Sequence, residues 1–545
     1  MYSFPFQALF RAQARPDRRY LRAQSHDAPT TPTMSTTMKV FATFQLSGIN
    51  FTTCAVNGLI VIGLPAITHE LQIDDALAVW PSSVTSLSTA ATLLLAGTIA
   101  DLVGPRWIEL FGSFTCGLLM LGAGASRTGT EMVGIRAVQG ISLSCHLAAS
   151  VALTTQCVPR GRGRNVAFAC LGLSQPLGFS FGLVLGGVLV DTVGWRSGWY
   201  IHGGITLALS VAGFWVLPSP SEKRVVVGRR GGRALLRGFK HEIDWVGTLL
   251  ISAFMGVVSA FMAMLSMGVE YIRKPDTIVM ISLSAVLLPA FALWMQRQVK
   301  KGRPALIPNA LWRNPSFSAV TAMIALSFAV LNALELFCSL FFQEIQDLPA
   351  LQAAIRILPS LIVGTILNVT TGLFVHKVGG FWLAVIPALL SAVAPLLMAI
   401  SEPAKTYWNM HFVAQLFQPI SSDILFTVGL IVITDVFPED KHALAGAVFN
   451  TAAQFGNAFG LAVMQVVLTL VTNEKMKDER MPPLRSKLEG YRAGFWTMFA
   501  MMLVCVLVGA AGFWKVGRIG GEKPLEEEEE DVKGELRTEM DEGKV

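Results

Sequence analysis

Charged side chains are scarce in the long apolar stretches of this chain, so the few that occur there mark where chemistry can be sought. Asp423 and Glu335 each stand inside such a stretch. A carboxyl kept from water can take up and give back a proton near neutral pH, the chemistry needed to couple a movement to a proton gradient. Arg136 also lies within an apolar run, about 6–8 Å from its end at helical rise. A guanidinium there needs a wet cavity, a partner or a route to the interface. Arginine near a carboxylate favours its ionised form, so Arg136 is expected to bias Asp423 and Glu335. Gln139 follows one turn later and can share its polar site. His146, Asn332, Asn368, Gln415, Gln418, Gln454 and Asn457 are cavity-lining candidates, each equally suited to holding helices together. Phe328, Phe337, Phe341 and Phe342 offer an aromatic surface suited to apolar substrates or to lipid.

The elements that must position these groups follow from composition. The 545 residues are 52% hydrophobic and only 15% charged, against about a quarter charged in a soluble protein. Fourteen mostly apolar segments are each long enough to span a bilayer as a helix, at roughly 18 residues or more. They fall near 41–67, 77–99, 107–125, 131–157, 165–190, 196–217, 243–266, 276–296, 316–343, 352–375, 381–400, 407–434, 442–472 and 492–515. The expectation is an all-α membrane protein. Seven dispersed cysteines without a Cys-x-x-Cys pair argue against a disulfide framework or a metal site. The net charge of +6 follows the loops and implies no nucleic-acid partner. With the N-terminus inside, about 30 of the 43 Lys and Arg fall on the inner side, and both termini are cytoplasmic.

The chain repeats itself. Gly97-Thr98-Ile99-Ala100-Asp101-Leu102-Val103-Gly104 is echoed 275 residues later by Gly372-Leu373-Phe374-Val375-His376-Lys377-Val378-Gly379. Gly178-Phe179-Ser180-Phe181-Gly182-Leu183 is echoed by Gly456-Asn457-Ala458-Phe459-Gly460-Leu461. Two similar halves are the usual architecture of a secondary transporter, with substrate bound between them. In the first cassette, Gly97 and Gly104 allow close approach and a tight turn. Asp101 can accept backbone N–H groups or pair with an Arg, and Arg106 follows the turn, which together make a releasable latch. Arg136-Ala137-Val138-Gln139-Gly140 lies in the fourth span. In the fifth, Gly178, Gly182 and Gly186 recur every fourth residue behind Pro176, a smooth face with a bend expected at the proline.

These three motifs resemble those of the major facilitator superfamily: its motif between helices two and three, its helix-four motif, and the helix-five motif associated with antiporters. With fourteen spans, the chain looks like the drug:proton antiporter branch. More narrowly it is similar to fungal aminotriazole-resistance-like transporters, through Leu311-Trp312-Arg313-Asn314, Ile357-Leu358-Pro359, Ser422-Asp423 and Leu444-Ala445-Gly446-Ala447. Leu102 and Pro105 stand where the family's first motif commonly carries basic residues. The resemblance implies a major facilitator fold: two six-helix bundles with a two-helix central insert. The division reads 1–39, a disordered tail; 40–217, the first bundle; 218–313, a basic linker and two extra helices; 314–516, the second bundle; and 517–545, an acidic tail.

The expected function is proton-coupled export of small organic toxicants or secondary metabolites by alternating access, drug resistance among its outcomes. Alternatives are transport of a small polar or inorganic solute such as ammonium or borate, or a nutrient sensor on the same fold. No histidine–acid cluster or Walker-type nucleotide loop is evident, so neither an enzyme nor an ATP-driven pump is expected. The expected partners are a small-molecule substrate, protons and the lipid bilayer, with no cofactor and a monomeric chain. The plasma membrane is the expected location, the vacuolar membrane the alternative.

Overall fold

The computed structural model describes residues 35–74, 77–158, 162–218, 243–266, 271, 273–374, 378–436, 442–478 and 480–514. The N-terminal tail up to residue 34, the basic loop 219–242, the acidic tail, and His376 and Lys377 of the second cassette lie outside the described residues. The first six helices are α1 (Thr36–Glu70), α2 (Trp80–Val103), α3 (Pro105–Gly124), α4 (Gly129–Cys157), α5 (Arg162–Thr192) and α6 (Trp195–Val216). The insert is α7 (Trp245–Ser266) and α8 (Pro275–Lys300). The second half is α9 (Pro315–Leu340), α10 (Ala350–Phe374), α11 (Gly380–Ile400), α12 (His411–Phe417), α13 (Ile420–Val436), α14 (His442–Met476) and α15 (Pro483–Phe513). In a bilayer every backbone polar group must be satisfied within the protein, which an apolar helix does unaided.

Local chemistry sets the boundaries. Thr128 caps α4 by accepting from the Glu131 N–H at 3.2 Å, and Glu131 accepts from the Arg127 N–H at 2.9 Å. Asn314 caps α9 by accepting from the Ser316 and Phe317 N–H groups, with Pro315 at the first helical position. Gly104 joins α2 to α3 at φ +106°, a conformation that favours glycine, as the cassette predicts. A side chain at Gly97 would meet nothing within 4 Å, so here the first cassette glycine makes no close helix contact. Pro176 sits inside a continuous α5.

Thirteen helices among the described residues are long and apolar enough to cross a membrane. The expected span at 407–434 is the one divided, into α12 and α13 on either side of Gln418 and Pro419. Two things interrupt the ladder: Pro419 has no N–H to give the Gln415 carbonyl, and a side chain is inserted between Phe417 and Ser421. Ser391 Oγ of α11 donates to the Phe417 carbonyl at 3.0 Å and accepts from the Ser421 N–H at 2.8 Å. Those two backbone groups would bond each other in an unbroken helix.

The two halves are built around the same seam. A Cβ at Gly178 would overlap the Phe51 carbonyl of α1, and one at Gly182 the Ala55 carbonyl. In the second half, Gly456 and Gly460 of α14 press on the carbonyls of Ala325 and Ala329 of α9 in the same way. Small residues let helix backbones approach closely in an apolar solvent, where no hydrophobic force drives them together. The insert helix α7 lies against α2 and α14, one from each half, and Ser252 Oγ donates to the Ala91 carbonyl at 2.8 Å. Helix α8 packs on α7, with little of its surface buried. Six exposed tryptophans, Trp107, Trp215, Trp245, Trp312, Trp382 and Trp514, lie at the helix ends on the Asp101 side of the bundle. Such rings favour the level of lipid headgroups.

Candidate functional site

Four helices of the second half converge on the predicted carboxylates. Asn368 of α10 donates from Nδ2 to Asp423 Oδ1 at 3.0 Å, and Asp423 Oδ2 lies over Gly364, where a Cβ would stand 2.7 Å away. Asp423 occupies the first turn of α13, just beyond the Pro419 break. Glu335 of α9 is within electrostatic reach of Asp423. Asn332, one turn before Glu335, donates to Asn457 Oδ1 of α14 at 2.9 Å. Phe328, one further turn back, meets Phe426 of α13 with ring centroids 6.1 Å apart. Phe328, Asn332, Asn368, Asp423, Phe426 and Gln454 are half-buried. The arrangement joins carboxylates able to exchange a proton with amides and rings able to hold a small organic molecule. Phe337, Phe341 and Phe342 are fully buried, in a cluster with Tyr491, Phe495 and His411.

Gln415 and Gln418 sit at the end of α12 and at the break. Gln415 Nε2 approaches Cys338 Sγ at 3.6 Å, and Gln418 Nε2 donates to the Leu331 carbonyl at 3.4 Å. Both side-chain oxygens are buried without a hydrogen-bond partner. They are therefore acceptors ready for a donor that reaches them.

Arg136 is not brought to these carboxylates. It is 1% exposed, and its guanidinium donates to the Pro81 carbonyl at 3.0 Å, Gln139 Oε1 at 3.1 Å and Asn57 Oδ1 at 3.3 Å. Its Cζ also stands 5.2 Å from the Trp199 ring centroid. All these partners belong to the first half and are neutral. Gly140, one turn on, lets α4 press against the Thr85 carbonyl of α2. In the first cassette Asp101 is exposed, and Arg106 donates to the Phe214 carbonyl at 2.6 Å.

His146 points away from any open space. It is 1% exposed and faces Glu109 of α3, which is 0% exposed, with Nδ1 2.8 and 3.1 Å from the two carboxylate oxygens. Sequence reasoning missed Glu109 because it stands near the start of its span, where an acid reads as interfacial. The signal was present: Glu109 and Ser113 lie one turn apart on a helix that must bury one face.

The hydrogen bonds that cross between the halves, among the described residues, gather at one end. Ser339 Oγ donates to the Val61 carbonyl at 2.9 Å, and Gln343 Nε2 to the Ile62 carbonyl at 3.1 Å. Asp191 accepts from the Ala350 and Leu351 N–H groups at 3.2 and 3.0 Å. Gly187 permits this contact, since a Cβ there would lie 2.7 Å from Leu351 Cα. Among the described residues, the Asp191 end is thus the joined end.

This two-half helical architecture, with its matched glycine seams, is that of a membrane transporter. The sequence model of the Major Facilitator Superfamily matches residues 46–401 and 370–539, and the chain belongs to that family. It is 37% identical to MFS-type transporter 1 of Pyricularia oryzae over 87% of this chain and 83% of that one. It is 24% identical to the low affinity ammonium transporter of Saccharomyces cerevisiae over 80% of each chain. It is 26% identical to the puromycin resistance protein pur8 of Streptomyces alboniger over 84% of this chain and 88% of that one. The fold is similar to a bacterial homologue of the human lysosomal transporter Spinster in an inward-facing, occupied conformation, with TM-score 0.63, 13% identity, and coverage of 88% of this chain and 99% of that one.

Proposed function

We propose that this protein exports small organic molecules in exchange for protons, as a fourteen-span antiporter similar to the aminotriazole-resistance-like branch. The observation that carries the reading is the convergence of Asp423, Asn368, Glu335 and Asn332 with Phe328 and Phe426 in the second half. Asp423 and Glu335 take and release the proton, and the amides and rings hold the substrate. The resemblance to a puromycin resistance protein supports an organic toxicant as cargo. With both termini cytoplasmic in the plasma membrane, the joined Asp191 end faces outward, and the halves rock about the central cleft. The test is growth of efflux-deficient yeast expressing this chain across a broad toxicant panel, beside Asp423→Asn. Resistance to a few compounds, lost in a correctly located variant, is the expected result; resistance retained in full by Asp423→Asn would remove that residue's role.

A second reading, movement of ammonium, is favoured by the Saccharomyces relative. It predicts uptake of radiolabelled methylammonium by the same strain, competed by ammonium, with no change across the toxicant panel.

A further inference from the structure

A second titratable pair lies outside that cleft, sealed in the first half. Glu109 of α3 and His146 of α4 are both essentially inaccessible to water. Both carboxyl oxygens lie within 3.1 Å of one ring nitrogen, so a hydrogen is shared between Nδ1 and the carboxyl group, and the tautomer sets which side donates. His146 Nε2 is buried with no hydrogen-bond partner. Gly112 makes the seal: a Cβ there would press on the Ser142 carbonyl, Cys145 Cβ and the His146 backbone nitrogen.

The charges around the pair decide its state. Glu109 pairs with no Lys or Arg among the described residues. Arg106, one turn earlier on α3, donates to the Phe214 carbonyl, and Arg164 of α5 donates to the Val158 and Thr155 carbonyls. Asp101 closes α2 and is exposed. Two thiols, Cys116 of α3 and Cys145 of α4, interact electrostatically with Glu109. The nearby hydroxyl of Ser113 donates to the Glu109 carbonyl at 2.7 Å and to Ser210 of α6 at 2.9 Å.

Neither protonation state is fully satisfied. With a neutral imidazole and an ionised carboxyl the pair leaves one whole negative charge out of water, which is costly. A proton added to the Nε2 lone pair makes the pair neutral overall, but that new N–H has no acceptor. Release breaks the same N–H bond and leaves its electrons on nitrogen, so nothing is oxidised or reduced.

We propose that Glu109 and His146 form a one-proton binding site in the first half, separate from Asp423 and Glu335. The proton it exchanges is the one on Nε2, which faces no acceptor in the closed α3–α4 contact. Its use in transport rests on the proton-coupled reading above; its existence does not.

The test is nitrogen NMR of the full chain in nanodiscs near pH 7, with ¹⁵N-labelled histidine and the His146 signals assigned by their loss in His146→Gln. The expected result is hydrogen on both His146 ring nitrogens, and on one only in Glu109→Gln. A bare ring nitrogen in the unmutated protein overturns the proposal, whether or not the Glu109→Gln variant folds. Asp423→Asn leaves the spectrum unchanged, and a toxicant panel without effect would overturn export while leaving this site standing.

Discussion

In the first half, α5 lays Gly178 and Gly182 on the carbonyls of Phe51 and Ala55, and Asn50 ties the seam by donating to Ser174 Oγ at 2.8 Å. In the second, α14 lays Gly456 and Gly460 on Ala325 and Ala329, and Asn332 ties it to Asn457 at 2.9 Å. The packing is the same in kind, but the buried charges are not. The first half encloses Arg136 among neutral acceptors and Glu109 against His146. The second leaves Asp423 half-buried, with Asn368 as a side-chain donor. Backbone contact constrains both halves alike, because no side chain larger than hydrogen fits the seam. The polar interior is free to diverge, and the half with the less enclosed carboxylate is the one suited to exchange protons with a passing substrate.

The strongest way to break this comparison is to spoil one seam. Gly182→Val should abolish folded protein in the membrane, because its side chain would overlap backbone, whereas Gly97→Ala should fold normally. Size-exclusion profiles of a fluorescent fusion check both. Asp423→Asn should keep its Asn368 contact and fold, yet lose proton-driven export by roughly tenfold or more, measured by proteoliposome flux under a pH gradient. Arg136→Lys should lower stability by about 2–3 kcal/mol, since an ammonium cannot reproduce the planar fork that reaches three acceptors. Thermal unfolding in detergent reads this out. A proton-coupling role for Arg136 would instead show as lost transport with unchanged stability. The smallest effect is expected for Ser391→Ala, about 1 kcal/mol, because the Ser421 N–H and Phe417 carbonyl can bond each other once the hydroxyl is gone.

Most of the fold was legible because its signals are long or repeated. Apolar runs announced the spans, and the four-residue glycine spacing announced the α5 seam. Pro419 marked a weak point in its span, but the Ser391 hydroxyl that bridges the break was not legible, since it stands 28 positions earlier on another helix. Asp423, Asn368 and Asn332 were found as polar residues in apolar runs. Which of them pair, Asn368 with Asp423 and Asn332 with Asn457, was not, because hydrogen bonding between helices leaves no periodicity. His146 was readable as polar but not as paired. Arg136 was readable as costly, but its distance from the carboxylates is set by how the halves pack.

The tryptophan ring at the Asp101 end carries a mechanical consequence. Six exposed indoles stand at or just beyond the ends of six different helices drawn from both halves and the insert, and rings of this kind settle at the headgroup level, which fixes the height at which the bundle floats. Any rocking that spreads or draws together that end must drag these moorings through the lipid. The bilayer's thickness and stiffness thereby become a load on the conformational cycle, and the rate of turnover should depend on acyl-chain length even when the substrate and the gradient are held constant.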